Sequence, residues 1–550
     1  MTRPGGIAAA VAVLSVTAGI ATITPAIDSD TTWAILAAEQ RLRGLPNTLQ
    51  QMIVADPDDL ARDRPQSIGW AAPGHQEAFY LLRRAGLSLG AALKTMIVAC
   101  WLAGIVGWGL YFWIAAPNRR IAPWLIALFA FFRMSHYHAF VFFGGDLLLW
   151  AVFPFVVLAN IRAIRAAEDG AGRGWALAAG AASAVLVIFK YSAVFLTAAI
   201  GLAWLWSLWS RELRWSRAWA WTAGAAAGTA FALAAGIGAL LSTTTPASAQ
   251  CEVALAPVLA WGAAGSLMGL SDIAALVDSF LRRTGQVGAS DPLIAAMTAA
   301  LACVLLVWFV ASRQTVAASV ASSDATSRLA LRLTALTMAA VSAGLIVLML
   351  RGGCISMESR HQQYGGFMAL PFLAAWFAAQ IKQPKAATRA LTVVCAFLFV
   401  AVPFLYGAGA FVDKVFVRMP SLRSAISPAG VRISWLGGGS GLSAFYREVS
   451  ALPEMNDSLL AVSAPDMGIL FPQARVLILP GGDAKLPWMQ AKQGVRDLRG
   501  RPRGPVLLIP QLVAPDDTDF VRQRQAFRDI RAWTPIVFAS EPHIRAWSGR

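Results

Sequence analysis

Asp28 and Asp30 stand one residue apart directly after the first apolar stretch of the chain, where an ionised side chain is costly unless it faces water, a partner or a substrate. Paired acids in that position suggest chemistry at a bilayer surface. A bland reading accounts for part of the pair: Thr31-Thr32-Trp33 follow, so Asp28 suits a helix N-cap and Asp30 a first-turn acid. A second acid, Asp146, follows Gly144-Gly145 at the start of a later apolar run, where helix capping is again the alternative. Cations stand at comparable boundaries, Lys190 in Phe189-Lys190-Tyr191-Ser192 and Arg360-His361 in a polar run from Glu358 to Tyr364. Either cation can snorkel to lipid headgroups or bind a phosphate, Arg as a bidentate fork and Lys as a point charge. Just before Asp146, Arg133, His136, Tyr137 and His138 are candidates for the lining of a polar cavity; histidines two apart do not share a helix face and make a poor metal pair. His75 and Glu77, after the turn-forming Pro73-Gly74, are candidates for loop contacts over a site.

These residues are set among apolar blocks. The 550 residues are 57% hydrophobic and only 14% charged, which marks a polytopic helical membrane protein; the alternating strands of a membrane barrel are absent from the pattern. About eleven spans are expected, at 5–24, 93–116, 121–132, 147–161, 175–189, 191–209, 218–242, 292–312, 329–350, 367–381 and 390–410, with the two around Lys190 either separate or one broken helix. The first run is long for a signal peptide and lacks a clear cleavage signature. The formal charge of +16 does not point to nucleic acid, because the basic residues collect in short loops between apolar blocks. An N-terminus inside puts Arg119-Arg120, Arg162 to Arg173, Arg211 to Arg217, Arg313 to Arg328 and Lys382 to Arg389 in the cytoplasm, as the positive-inside rule favours.

Three segments then lie outside: 25–90, 243–291 and the chain after 410. The first has helical apolar spacing over Thr31 to Arg43 and Glu77 to Leu89, which predicts helices on the membrane surface. Short β-type runs at 459–462, 476–479 and 506–509 alternate with helical patterns, so 411–550 is expected to be a small extracytoplasmic α/β domain beside a membrane domain over 1–410. Gly437 to Gly441 is glycine-rich but lacks a Walker lysine and reads as a plain loop. Of five cysteines, Cys251 and Cys354 both fall outside and are candidates for a disulfide in an oxidising compartment.

Taken in order, these residues resemble the C-type (GT-C) glycosyltransferases, polytopic enzymes that use polyprenyl-phosphate sugars, including the protein mannosyltransferase and lipid A aminoarabinose transferase branches. The carriers are Asp28-Ser29-Asp30, Trp70-x-x-Pro73-Gly74, Asp146, Lys190-Tyr191-Ser192 and Arg360-His361-x-x-Tyr364 ahead of Pro371. The resemblance covers about 5–410 and implies an inverting transfer to a glycan, lipid or protein acceptor. It implies Asp28 or Asp30 as general base, Asp146 as a supporting acid, and Lys190 and Arg360 on the donor phosphate with His361 and Tyr364 alongside. The adjacent Asp-Glu of the mannosyltransferases is split here by Ser29; Asp-x-Asp resembles the spacing that holds a divalent cation, Mg or Mn, in some members.

The main rival is a transporter or flippase of a lipid-linked glycan. Transporters usually carry internal repeats and mid-membrane polar groups, whereas no convincing repeat is found here and the polar candidates gather at one face. A membrane anchor for the C-terminal domain would not need so many spans. The excess of Arg over Lys and the abundant Ala suggest a GC-rich bacterial gene, hence a multi-pass protein of the cytoplasmic (inner) membrane with a periplasmic or extracellular active face.

Overall fold

The computed structural model describes residues 3–27, 29–45, 51–55, 63–67, 72–142, 144–166, 170–237, 254–286, 290–352, 355, 357–417, 430–433, 448–449, 451–452, 459–462, 475–478, 506–509, 532–539 and 545–549. Among them, eight helices are long and apolar enough to cross a membrane. They begin with α1 (Arg3–Thr22), and α4 (Leu89–Ala115), α7 (Gly145–Arg165) and α8 (Gly170–Phe189) follow. Later come α13 (Asp291–Ala311) and, past the short α14 (Arg313–Ser322), α15 (Ala325–Leu350), α16 (Gln363–Ile381) and a last span over Ala386–Val417. Caps fix where some of them start: Ser88 accepts the Ala91 amide before α4, and Asp324 accepts the Ser327 amide before α15.

Each of the three other expected spans is helical over its described residues, which for the run 218–242 end at Ile237. The run at 121–132 becomes α5 (Ala122–Ala130), about 14 Å long at the helical rise and half a bilayer core. It hands over at Phe131-Phe132 to α6 (Arg133–Phe140). The runs at 191–209 and 218–242 become α9 (Ala193–Trp209) and α10 (Trp215–Ala232), the latter continued by a π-turn to Ile237. At Lys190 the chain makes two helices, not one broken one: Thr197 donates to the Ser183 carbonyl at 2.6 Å, so α9 folds back along α8.

The two helices expected in the first loop are α2 (Ser29–Leu42) and α3 (Gly74–Arg84), and α2 is packed in, with Thr31, Thr32 and Ala34 to Gln40 all buried. Charges zip them together, Arg41 to Glu77 at 2.7 Å and Arg83 to Glu39 at 2.5 Å, with Arg41 also 4.0 Å over the Tyr80 ring. Between them runs a hairpin, β2 (Gln51–Ala55) and β3 (Asp63–Ser67). Gln40 acts as a surrogate strand for it, accepting the Ile53 amide at 2.6 Å and donating to the Ile53 carbonyl at 2.8 Å.

Within the expected outer loop 243–291 the sequence reading missed a helix, α11 (Leu255–Ser271), buried mainly in its second half, and the amphipathic α12 (Ile273–Arg283) after it. Small residues let α11 in: a Cβ on Gly262 would meet Ile346, and one on Gly265 would meet the Gln362 amide. At 17 residues α11 is apolar and as long as α9, so its run was as open to reading as that one.

The described C-terminal part contains a five-stranded sheet in the order β7-β6-β8-β10-β9, from β6 (Leu459–Val462), β7 (Arg475–Ile478), β8 (Val506–Ile509), β9 (Trp533–Val537) and β10 (Arg545–Gly549). The three runs chosen for β character are its parallel half. The last membrane helix continues in π form to Val417, beyond the expected boundary at 410. A further strand, β5 (Arg432–Ile433), joins the membrane part instead.

Candidate active site

Three short strands organise one end of the bundle. β1 (Ala26–Ile27) lies between β4 (Val141–Phe142) and β5, parallel to both, with Ala26 opposite Val141 and Arg432, and Ile27 opposite Phe142 and Ile433. Parallel strands send their chains out at the same edge, where ligands of parallel sheets commonly bind. From that edge β1 leads into Asp28 and α2, and β4 leads through Gly144-Gly145 into α7 and Asp146. Asp28 lies outside the described residues, as does the Asp30 side chain, whose backbone belongs to the first turn of α2. Their neighbour Thr31 closes the gap: a Cβ on Gly144 would fall 2.7 Å from its methyl group.

The glycine pair explains how Asp146 meets its partners. Gly144 takes φ +45° and turns the chain into α7, with His75 2.8 Å from where a Cβ would stand. A Cβ on Gly145 would run into the Phe189 carbonyl, so only glycine lets the α7 N-terminus press against the α8 end and Lys190. Lys190 then forms an ion pair and hydrogen bond with Asp146 Oδ1. Arg360 approaches Oδ2 at 3.9 Å and pairs with Glu358 at 2.7 Å. Asp146 also sits in the first turn of α7, where the helix dipole favours an anion. Two cations thus share one buried carboxylate, while the second carboxylate, Glu358, is half exposed. The two cations and two carboxylates balance, and a guanidinium and an ammonium set side by side are the groups that bind a phosphate.

Neutral polar groups surround this cluster. The Tyr364 hydroxyl donates to the Asp146 carbonyl at 3.4 Å, and its ring packs edge-on against Phe153. His138 shares a 3.2 Å hydrogen bond with the Gln363 amide. Burial pushes His75 down to about 4, against a smaller upward pull from a backbone hydrogen bond and from Asp146. Burial, then the Lys190 and Arg360 charges, push His361 down to about 3. Both imidazoles are therefore neutral near pH 7, able to donate or accept a hydrogen bond without adding charge.

Of the residues singled out by sequence, Asp146, Lys190, Arg360, His361, Tyr364 and His75 come together here. Arg133 and His136 belong to a different neighbourhood. Arg133 pairs with the buried Asp272 at 3.2 Å and lies 4.3 Å over the Tyr137 ring, while His136 bonds the Gly407 carbonyl at 3.2 Å and packs on Phe140 and Phe411. Glu77 is engaged by Arg41 in the α2–α3 zipper. Cys251 and Cys354, and the glycine run at 437–441, lie outside the described residues. Among the described residues no three His, Cys, Asp or Glu side chains gather as a metal site.

Sequence reasoning missed the support behind Arg360. Gln362 donates to the Trp261 carbonyl at 3.0 Å, and Gly365 and Gly366 press on Ser266, so α11 braces the segment that carries Arg360 and Tyr364. The available signal was the small-residue spacing of Gly262, Gly265 and Ser266 against Gly365-Gly366.

No family profile matches the chain, and no curated protein matches it. Solved structures similar to it include ArnT from Cupriavidus metallidurans bound to undecaprenyl phosphate, with a TM-score of 0.45, and ArnT from Cupriavidus metallidurans in the apo state, with 0.44. Each is 13% identical, over 99% of this chain and 97% of that one.

Proposed function

We propose that this chain is a membrane glycosyltransferase of the C type that moves a sugar from a polyprenyl-phosphate donor to an acceptor on the extracytoplasmic face, with inversion. The observation that carries the reading is the convergence of Lys190 and Arg360 on Asp146, at the edge of the sheet from which the Asp28–Asp30 segment also departs. In the proposed reaction Asp28 or Asp30 takes the proton of the acceptor hydroxyl or amine. The acceptor bonds to the anomeric carbon as the glycosyl–phosphate bond breaks. The electron pair leaves on the phosphate, where Lys190 and Arg360 stabilise the growing charge. Asp146 holds both cations in place between turnovers, with His361 and Tyr364 beside them. The N-terminus is cytoplasmic, and a divalent cation at Asp28 and Asp30 is an open part of the proposal.

The test is transfer from defined polyprenyl-phosphate sugars by purified protein, with and without chelator, comparing wild type with Asp28→Asn, Asp30→Asn, Lys190→Ala and Arg360→Ala. Loss of turnover in one aspartate variant and in both cation variants, with folding retained, is expected. Unchanged turnover in both aspartate variants would remove the base assignment, and movement of the lipid-linked sugar without a glycosidic product would replace the transferase by a transporter.

A further inference from the structure

The segment 20–27 that delivers the acidic pair is held from two sides. A helix leaves its last carbonyls without intrahelical partners. Lys94 of α4 reaches the end of α1 and donates to the Ile23 carbonyl, and to that of Ile20 at 2.9 Å. The next two carbonyls go to one residue of the C-terminal part: Arg432 Nε donates to Thr24 at 3.1 Å, and the Arg432 amide to Pro25 at 2.9 Å. Arg432 then continues as β5, in register with Ala26 and Ile27. Both it and the preceding Val431 are buried. The approach depends on a glycine contact, since a Cβ on Gly90 at the start of α4 would collide with the Gly430 carbonyl, and Gly430 itself has φ +75°. β1 is two residues long and has strands on both sides. Without β5 one of its edges would be open.

Resting on the transferase reading above, we infer that Arg432 is a positioning residue for the proposed base: the C-terminal part completes the sheet, and Arg432 fixes the strand whose chain runs on into Asp28 and α2. Arg432 reaches this strand through backbone carbonyls, so its effect is on geometry and not on donor recognition, which the Lys190–Arg360 side supplies. Small misplacements of a reacting group cost rate more than binding.

The experiment uses the full-length purified chain. Arg432→Ala is expected to lower kcat about tenfold or more while donor KM stays within about twofold, and to speed amide hydrogen exchange of a peptide covering 24–31 with the melting temperature little changed. Arg432→Lys should recover part of kcat. Because removing a buried guanidinium can harm folding, a second variant combines Ala26→Cys with Arg432→Cys at register partners. Oxidation of that pair, which ties the two strands covalently, should return kcat to within about threefold of wild type if position alone matters. Unchanged exchange over 24–31 in Arg432→Ala overturns the inference, as does faster exchange there with unchanged kcat, or a rise in donor KM that matches the whole loss. If wild type transfers no sugar from any polyprenyl phosphate, the transferase reading falls alone, because the exchange result still decides whether Arg432 holds the strand.

Discussion

Helix α7 carries two polar clusters about 21 Å apart along its axis, and they are built on opposite terms. Near its far end Asn160 uses its whole capacity: its amide donates to the Val156 carbonyl at 2.8 Å and to Ser183 at 2.9 Å, and its oxygen accepts from Trp204 at 2.8 Å and Trp221 at 3.0 Å. The two indoles stack at 5.6 Å, and the buried Arg217 caps the helix through the Ala163, Ile164 and Ala166 carbonyls. That end is closed and neutral at its centre, joining four helices. At the near end Asp146 faces two cations, with neutral imidazoles around them. A saturated neutral network fixes a fold, whereas a mostly buried cluster of paired charges is where functional groups tend to gather.

The largest separation between the two ends is expected from paired substitutions. Asp146→Asn keeps shape but leaves Lys190 and Arg360 without their shared anion, and we expect transfer to fall about 100-fold or more as both cations shift. Asn160→Ala strands the buried Trp204 N–H and the part-buried Trp221 N–H, for an expected loss of about 2–3 kcal/mol in stability, with turnover of the protein that remains folded within about threefold of wild type. Transfer kinetics alongside thermal unfolding in detergent measures both. Equal activity losses in the two variants would break the contrast.

A smaller effect follows from His75. Its folded value lies at about 4 and the unfolded value at about 6.5, so between these limits the unfolded chain binds a proton that the folded one does not. Stability is therefore full above about pH 6.5 and is lost as pH falls towards 4. His75→Gln should flatten that slope, read as melting temperature between about pH 7 and pH 4.5; an unaltered slope would mean that His75 is not the group responsible.

Most of the membrane part was legible because apolar length is a direct signal. Every expected span overlaps a helix among the described residues, and the short strands at 459–462 and 506–509 were placed to the residue. Asp146, Lys190 and Arg360 were legible as charges at apolar boundaries. Their meeting was not, because it depends on Gly145 against the Phe189 carbonyl, a contact between segments 44 residues apart in sequence that leaves only an ordinary glycine pair to read. α11 was passed over although it is apolar and as long as α9, whereas Arg432 was hidden by distance, since nothing in a two-residue strand announces a partner some 400 residues away. Arg133 and His136 looked like site residues by proximity to Asp146 in sequence, but the turn at Phe131-Phe132 opens α6, which carries them to Asp272 and Gly407.

The smallest predicted effect sharpens the contrast by its sign. Glu358 lies 2.7 Å from Arg360 with half its side chain exposed, so it competes with any incoming anion for that guanidinium, under solvent screening. Glu358→Gln should therefore tighten binding of a polyprenyl phosphate about two- to fivefold at about 0.05 M salt, and the gain should shrink at about 0.5 M as screening weakens the competing charge. Native mass spectrometry or a fluorescence titration with the lipid phosphate measures it. A loss of affinity would mean that Glu358 orients Arg360 instead of competing for it. In the Asn160 network removal of any partner only subtracts, because every bond is already made; a gain on removing Glu358 is possible only where a cation is held for something else.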